Sequence, residues 1–192
     1  MSDSPLRVAI ITGSTREGRF GPTVARWFVT QARQRDALRP DVIDLVDFDL
    51  PAVMPARPSA AVAAYAARID AADAFVVVTP EYNHGYPAPS SRPSIDLAHS
   101  EWNAKPVAFV SYGGMAGGLR AVEQLRQVFA ELHATSVRDT VSFHGAGGQF
   151  DAHGRPKDHD GCNAAAKVLL DQLTWWAGAL RDARTKRPYA AT

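Results

Sequence analysis

A single cysteine, Cys162, stands in a chain of 192 residues. Neither an intrachain disulfide nor a paired-cysteine redox motif can form, which fits a reducing compartment. An excess of one charge is also missing: 21 Lys and Arg against 20 Asp and Glu leave a net charge of +1. Nucleic-acid binders and acidic electron shuttles normally show a larger imbalance, so no nucleic-acid partner is expected. Long apolar runs are absent too. The first, residues 8–11, is far short of the roughly 18 residues of a membrane helix, and the polar residues 1–5 do not open a signal peptide. A cytoplasmic protein with no membrane partner is expected. Apolar residues at 46% and charged residues at 21% make an ordinary globular balance. We read one domain over residues 1–192, with a polar, mobile tail from about 184.

The chain alternates short β-branched runs with helical stretches. Residues 7–12, 41–45, 74–79, 106–111 and 137–143 read as strands. Val24, Trp27, Phe28 and Ala32 recur at helical spacing within residues 22–35, with Pro22 suited to a first helical turn. Ser59 is placed to cap a helix through residue 72, on which Val62, Tyr65, Ala66 and Ile69 form one stripe. Further helices are expected over residues 119–133 and 163–180. Residues 49–58, with three prolines, read as a loop, as do the Gly-, His- and Asp-rich residues 145–161. Five strand–helix alternations predict an α/β sandwich with a parallel sheet. Ligands of such folds bind beyond the carboxyl ends of the strands, so the loops there carry the chemistry.

Three of those loops stand out. Gly13-Ser14-Thr15-Arg16-Glu17-Gly18-Arg19-Phe20-Gly21-Pro22-Thr23 combines a helix start with hydroxyls and two arginines. Main-chain N–H groups and the positive end of the helix dipole suit a terminal phosphate monoester there. The loop has neither the three spaced glycines of a dinucleotide site nor the Gly-Lys-Ser/Thr ending of a nucleotide-triphosphate loop. Thr79-Pro80-Glu81-Tyr82-Asn83-His84-Gly85-Tyr86-Pro87 follows the third strand and suits the edge of a planar ring. Glu81 reads more readily as a solvated charge or a backbone cap than as a catalytic acid. Ser111-Tyr112-Gly113-Gly114-Met115-Ala116-Gly117-Gly118 lets the main chain approach a ligand closely.

Taken together, Gly-Ser-Thr-Arg after strand one, Pro-Glu-Tyr-Asn after strand three and Gly-Gly-x-x-Gly-Gly after strand four resemble the NADPH-dependent FMN reductases of the flavodoxin-like superfold. The run from Lys105-Pro106-Val107 to Glu123-Gln124-Leu125-Arg126 looks like that family as well, and the resemblance covers most of residues 6–143. It implies a flavodoxin-like three-layer sandwich with a five-stranded parallel sheet in the order 2-1-3-4-5. It also implies noncovalent FMN, NADPH or NADH as hydride donor, a small-molecule electron acceptor, and a homodimer or homotetramer. Carried over by position, Ser14, Arg16, Arg19, Pro22 and Thr23 surround the FMN phosphate. Pro80, Glu81, Tyr82 and Asn83 border the isoalloxazine, with Gly113, Gly114, Gly117 and Gly118 on the adjacent side. No side chain is assigned as catalytic acid or base. A flavodoxin-like electron shuttle and a flavin-fold module without activity stand as alternatives.

One segment departs from the family. Pro89-Ser90-Ser91-Arg92-Pro93-Ser94 stands where a Leu-Lys-Asn-Ala-Ile-Asp run is usual, so altered packing beneath the flavin loop is expected, with a helix over residues 93–100. Other constellations carry less. His144, His153 and His159 with Asp151, Asp158 and Asp160 match no compact zinc or calcium spacing, and no metal is assigned. Asp44 and Asp47 suggest a ribose-binding acid, a reading that fails without the dinucleotide glycines. Trp175 and Trp176 read as core or subunit-contact residues.

Overall fold

The computed structural model describes residues 4–87 and 94–190. Five parallel strands form one sheet: β1 (Leu6–Thr12), β2 (Leu38–Asp44), β3 (Ala74–Pro80), β4 (Pro106–Gly113) and β5 (Thr135–His144), in the order β2-β1-β3-β4-β5. The helices are α1 (Gly21–Arg33), α2 (Ala60–Asp70), α3 (Leu119–Glu131) and α4 (His159–Lys186). Residues 94–96 are also helical, and a 3-10 turn follows at Ser100–Trp102. Within the described part of the helix expected at residues 93–100, the helix therefore ends after residue 96. Trp102 explains the break, because its indole N–H donates to the carbonyls of Ile95 and Ala98 and is buried there.

The central strands are apolar on both faces because helices cover both faces, as a parallel sheet requires. Val8 and Ile10 of β1, Val76 and Val78 of β3, and Ala108, Val110 and Tyr112 of β4 pack in one layer with α1 and α4. Ala9, Ile11, Phe75, Val77, Val107 and Phe109 point the other way, into a layer with α2 and α3. Strand alternation thus divides the core into two halves.

Element ends depart from the sequence reading where tertiary pairing overrides local pattern. β2 begins at Leu38 rather than residue 41, since Leu6↔Leu38 and Val8↔Pro40 are in register with β1. Pro40 is tolerated because β2 is a sheet edge. The first turn of α1 holds Pro22 as expected, and Ser59 caps α2 by accepting from the Val62 N–H. Helix α4 runs longer than expected at both ends. Asp158 caps its start, accepting from the Gly161 N–H, and its polar last turns reach Lys186. Arg181 and Arg184 near that end lie 3.6 Å from Asp73, and Arg184 also donates to the Ala104 carbonyl. Beyond it, the Tyr189 hydroxyl lies 2.6 Å from His133 Nδ1. The segment from about residue 184 read as a tail is helical to Lys186 and makes this contact at Tyr189. The loop at 145–161 is largely exposed, yet Phe150 and Pro156 are buried and paired across a β-bridge.

Candidate functional site

Gly13 to Gly21 connects β1 to α1 at the carboxyl edge of the sheet. Ser14 at its base is wholly buried and held at two atoms. Its hydroxyl lies 3.0 Å from the Tyr112 hydroxyl, and its carbonyl accepts from Arg19 at 2.7 Å. Residues 15–18 form an exposed rim. Among the described residues, their N–H groups have no protein acceptor, so this rim offers open donors beside the α1 N-terminus. Thr23 sits in the first helical turn, half-buried, and accepts from Arg26. Pro22 is half-buried and lines a groove between α1 and β2 with Thr12 and Asp44.

The two arginines of the loop part company. Arg16 is exposed, and its guanidinium lies 5.2 Å from the centre of the Tyr82 ring, joining the first loop to the second. Arg19 is committed elsewhere. It makes two hydrogen bonds to the Asp44 carboxylate, 2.6 and 2.8 Å, in addition to its bond to the Ser14 carbonyl. Its pKa is raised chiefly by the hydrogen bond to Asp44. The sequence reading places Arg19 against the phosphate; in the structure its guanidinium is paired with the Asp44 carboxylate and the Ser14 carbonyl.

In the second loop, Pro80 ends β3 and the Glu81 N–H donates to the Tyr112 carbonyl at 3.1 Å. Tyr82 and Gly85 close a tight turn whose corners, Asn83 and His84, have φ of 51° and 67°. Asn83 is exposed at its tip. The Glu81 carboxylate accepts from the Arg120 N–H at 3.2 Å and the Arg120 guanidinium at 2.8 Å, so it caps the start of α3. The backbone-cap reading of Glu81 is thus the one that the geometry supports.

The third loop follows β4. Gly118 has φ of 90°, and a side chain there would come within 2.6 Å of Ser111 Cβ, so glycine is required on both counts. Gly117, with φ of 60°, packs equally tightly against Ser142 and His144. Gly113 lies against Gly118 and Glu81. Gly114 faces open space and forms, with Phe20, Gly113 and residues 145–148, a shallow depression of ≈ 500 Å³. All three loops therefore meet at one rim, through Arg16 and Tyr82, Ser14 and Tyr112, and Glu81 and Arg120.

Several residues that build this rim escape a reading by motif. Tyr112 is buried, and burial pushes its hydroxyl up to about 12, opposed by the hydrogen bond with Ser14. Gly21 leaves room for that pair, since a Cβ there would lie 2.6 Å from Ser14 Oγ and 2.9 Å from the Tyr112 hydroxyl. Asp44 lies beside the loop because the β1–β2 register pairs it with Thr12, an adjacency that no local motif around Asp44 encodes. The departing segment at 89–94 lies outside the described residues except for Ser94, which is buried. Among the described residues, no group of three His, Cys, Asp or Glu side chains is placed to hold a metal ion. Asp151 instead holds a turn by accepting from His153 and Arg155. No helix among the described residues is long and apolar enough to cross a membrane.

A five-stranded parallel sheet in the order 2-1-3-4-5, covered by helices on both faces and with three loops meeting at its carboxyl edge, defines a flavodoxin-like fold. Residues 6–148 match the family model described as NADPH-dependent FMN reductase, and the chain belongs to that family. A Schizosaccharomyces pombe protein named NAD(P)H-dependent FMN reductase is 35% identical over 131 residues, 64% of each chain. This chain thus spans 64% of that relative's length. A rice protein named probable NADPH:quinone oxidoreductase 2 is 31% identical over 202 residues, covering 99% of this chain and 98% of its own. In fold, the chain is similar to the solved structure of FerB, a flavoenzyme NAD(P)H:(acceptor) oxidoreductase from Paracoccus denitrificans. The TM-score is 0.72 at 22% identity, over 91% of this chain and 98% of that one.

Proposed function

We propose that the protein is an FMN-dependent NAD(P)H oxidoreductase. It takes hydride from NADPH or NADH and passes reducing equivalents to a small acceptor: a quinone, an azo compound, a metal oxyanion or free flavin. One observation carries the reading: the open amides of residues 15–18 and the Arg16 charge lie on the same rim as Tyr82 and the side-chain-free wall at Gly114. That rim fits a phosphate joined to a planar ring, which is the chemistry of FMN. Bound FMN would supply the hydride and electron chemistry itself.

The chain's own residues bind and orient. The amides of residues 15–18, Arg16 and the α1 N-terminus receive the phosphate, with Ser14, Pro22 and Thr23 shaping that end. Pro80, Tyr82, Asn83 and the main chain at Gly113 and Gly114 border the ring, while Gly117 and Gly118 set the loop's turn. Glu81, engaged by Arg120, holds the second loop to α3 and transfers no proton. The exposed Trp175 and Trp176 on α4 support a homodimer or homotetramer, and the protein is proposed to act in the cytoplasm.

The test is the visible absorption of the purified protein, as isolated and after adding FMN and removing the excess. A retained, perturbed flavin spectrum that bleaches anaerobically with NADPH is expected. A folded protein that retains no flavin, or one whose flavin NADPH does not bleach, would overturn the proposal.

A further inference from the structure

We infer that Asp44, at the end of β2, is a positioning residue that gives the site its preference for a phosphorylated flavin, acting through Arg19. The inference rests on the FMN reading above. Arg19 and Asp44 are largely shielded, with side chains 14% and 19% exposed, and they pair through two hydrogen bonds in parallel. Such a fork fixes the guanidinium in orientation as well as place. The same Nη1 that meets Asp44 Oδ1 also donates to the Ser14 carbonyl. Its two protons are then both used, one on β2 and one on the loop. With its carbonyl turned onto Arg19 and its hydroxyl onto Tyr112, Ser14 is oriented at both ends. The chain leaving it runs along the rim with the amides of residues 15–18 unpaired.

The alternative is that Arg19 is itself a phosphate ligand, and the two ideas predict opposite signs. If Arg19 served the phosphate, Asp44 would compete with the anion for it, and removing the acid's charge would tighten FMN binding. If Arg19 is a brace, removing that charge loosens the loop and weakens binding of the phosphate alone. Electrostatics makes the brace economical: Asp44 offsets the Arg19 charge, leaving Arg16 and the amides as the anion's attraction. Selectivity then comes from donor geometry more than from net charge.

Asp44→Asn is the measurement, because the amide oxygen can still accept from the Val46 N–H that Asp44 caps. FMN affinity is expected to fall about tenfold, with riboflavin affinity unchanged and the unfolding midpoint of the apo protein close to wild type. Asp44→Glu is expected to recover part of the loss, and Asp44→Asn is expected to add nothing in an Arg19→Ala background. Tighter FMN binding by Asp44→Asn would overturn the inference, as would equal losses for FMN and riboflavin. Hydrogen exchange of the Gly13 and Arg19 amides, which donate to the Val78 and Arg16 carbonyls at the two ends of the loop, separates this inference from the function reading when measured in the flavin-free protein. It accelerates in Asp44→Asn if the brace exists, whatever the wild type binds, and unchanged exchange would refute the brace. A wild type that retains no FMN would sink the function reading on its own.

Discussion

Replacing Gly21 with alanine adds one methyl group at the most crowded point beneath the phosphate loop. The new Cβ would lie 2.6 Å from Ser14 Oγ, 2.9 Å from the Tyr112 hydroxyl and 3.0 Å from Thr12 Cγ2. None of these atoms ends a flexible chain at the surface: Thr12, Ser14 and Tyr112 are 1%, 0% and 5% exposed. Tyr112 is further hemmed in by the Phe20 ring, edge-on with centroids 6.1 Å apart. Overpacking of this kind costs about 1–3 kcal/mol. Pushing Ser14 from Tyr112 adds about 1 kcal/mol for the lost hydrogen bond. Alanine's helix propensity returns at most about 1 kcal/mol, and less at the first helical position. The net loss is about 1–3 kcal/mol, which for a chain of this size lowers Tm by roughly 3–10 °C. Thermal unfolding of the flavin-free protein by circular dichroism checks it. Gly114→Ala is the matched control, since its Cβ meets nothing within 4 Å. A Gly21→Ala protein with wild-type Tm would refute the claim that this glycine is held by space rather than by turn geometry.

Tyr112→Phe strands the buried Ser14 hydroxyl and is expected to cost about 1–2 kcal/mol. In a cycle with Ser14→Ala the two losses should couple by about 1 kcal/mol, and additive losses in urea unfolding would deny the hydrogen bond an energetic role. Arg16→Ala is expected to weaken FMN binding by about 10- to 100-fold in a fluorescence titration, as for a charged hydrogen bond; an unchanged affinity would remove Arg16 from the site. Lys105, whose ammonium donates to the carbonyls of Ile69 and Asp70, has its pKa lowered from 10.5 to about 8 by burial. Between those values the unfolded chain holds more protons than the folded one, so stability should rise with pH from 8 to 10. Urea midpoints at three pH values should show that rise in wild type and its flattening in Lys105→Met.

How far the chain was legible depends on the range of each signal. Apolar runs announced the three central strands, because a strand buried on both faces is apolar at every position, as β3 is. Edge strands blur, since β2 takes Leu38, Arg39 and Pro40 from its pairing with β1 and from no pattern of its own. The Gly- and Pro-marked loops were legible for the same local reason: Gly118 must adopt φ of 90°, and Pro22 suits a first helical turn. The roles within those loops were not.

Sequence by itself determined the alternation of strands and helices, the positions of the three loops and their resemblance to one family, all properties of neighbouring residues. Tertiary structure alone decided that Arg19 faces Asp44, 25 residues away, and that Ser14 meets Tyr112, 98 residues away. It also committed Glu81 to Arg120 and left Arg16 over Tyr82. The physical reason is that a side chain's partners are set by strand order and register. Those bring the ends of β2, β1, β3 and β4 to one edge of the sheet, and no local spacing encodes which groups then share a hydrogen bond.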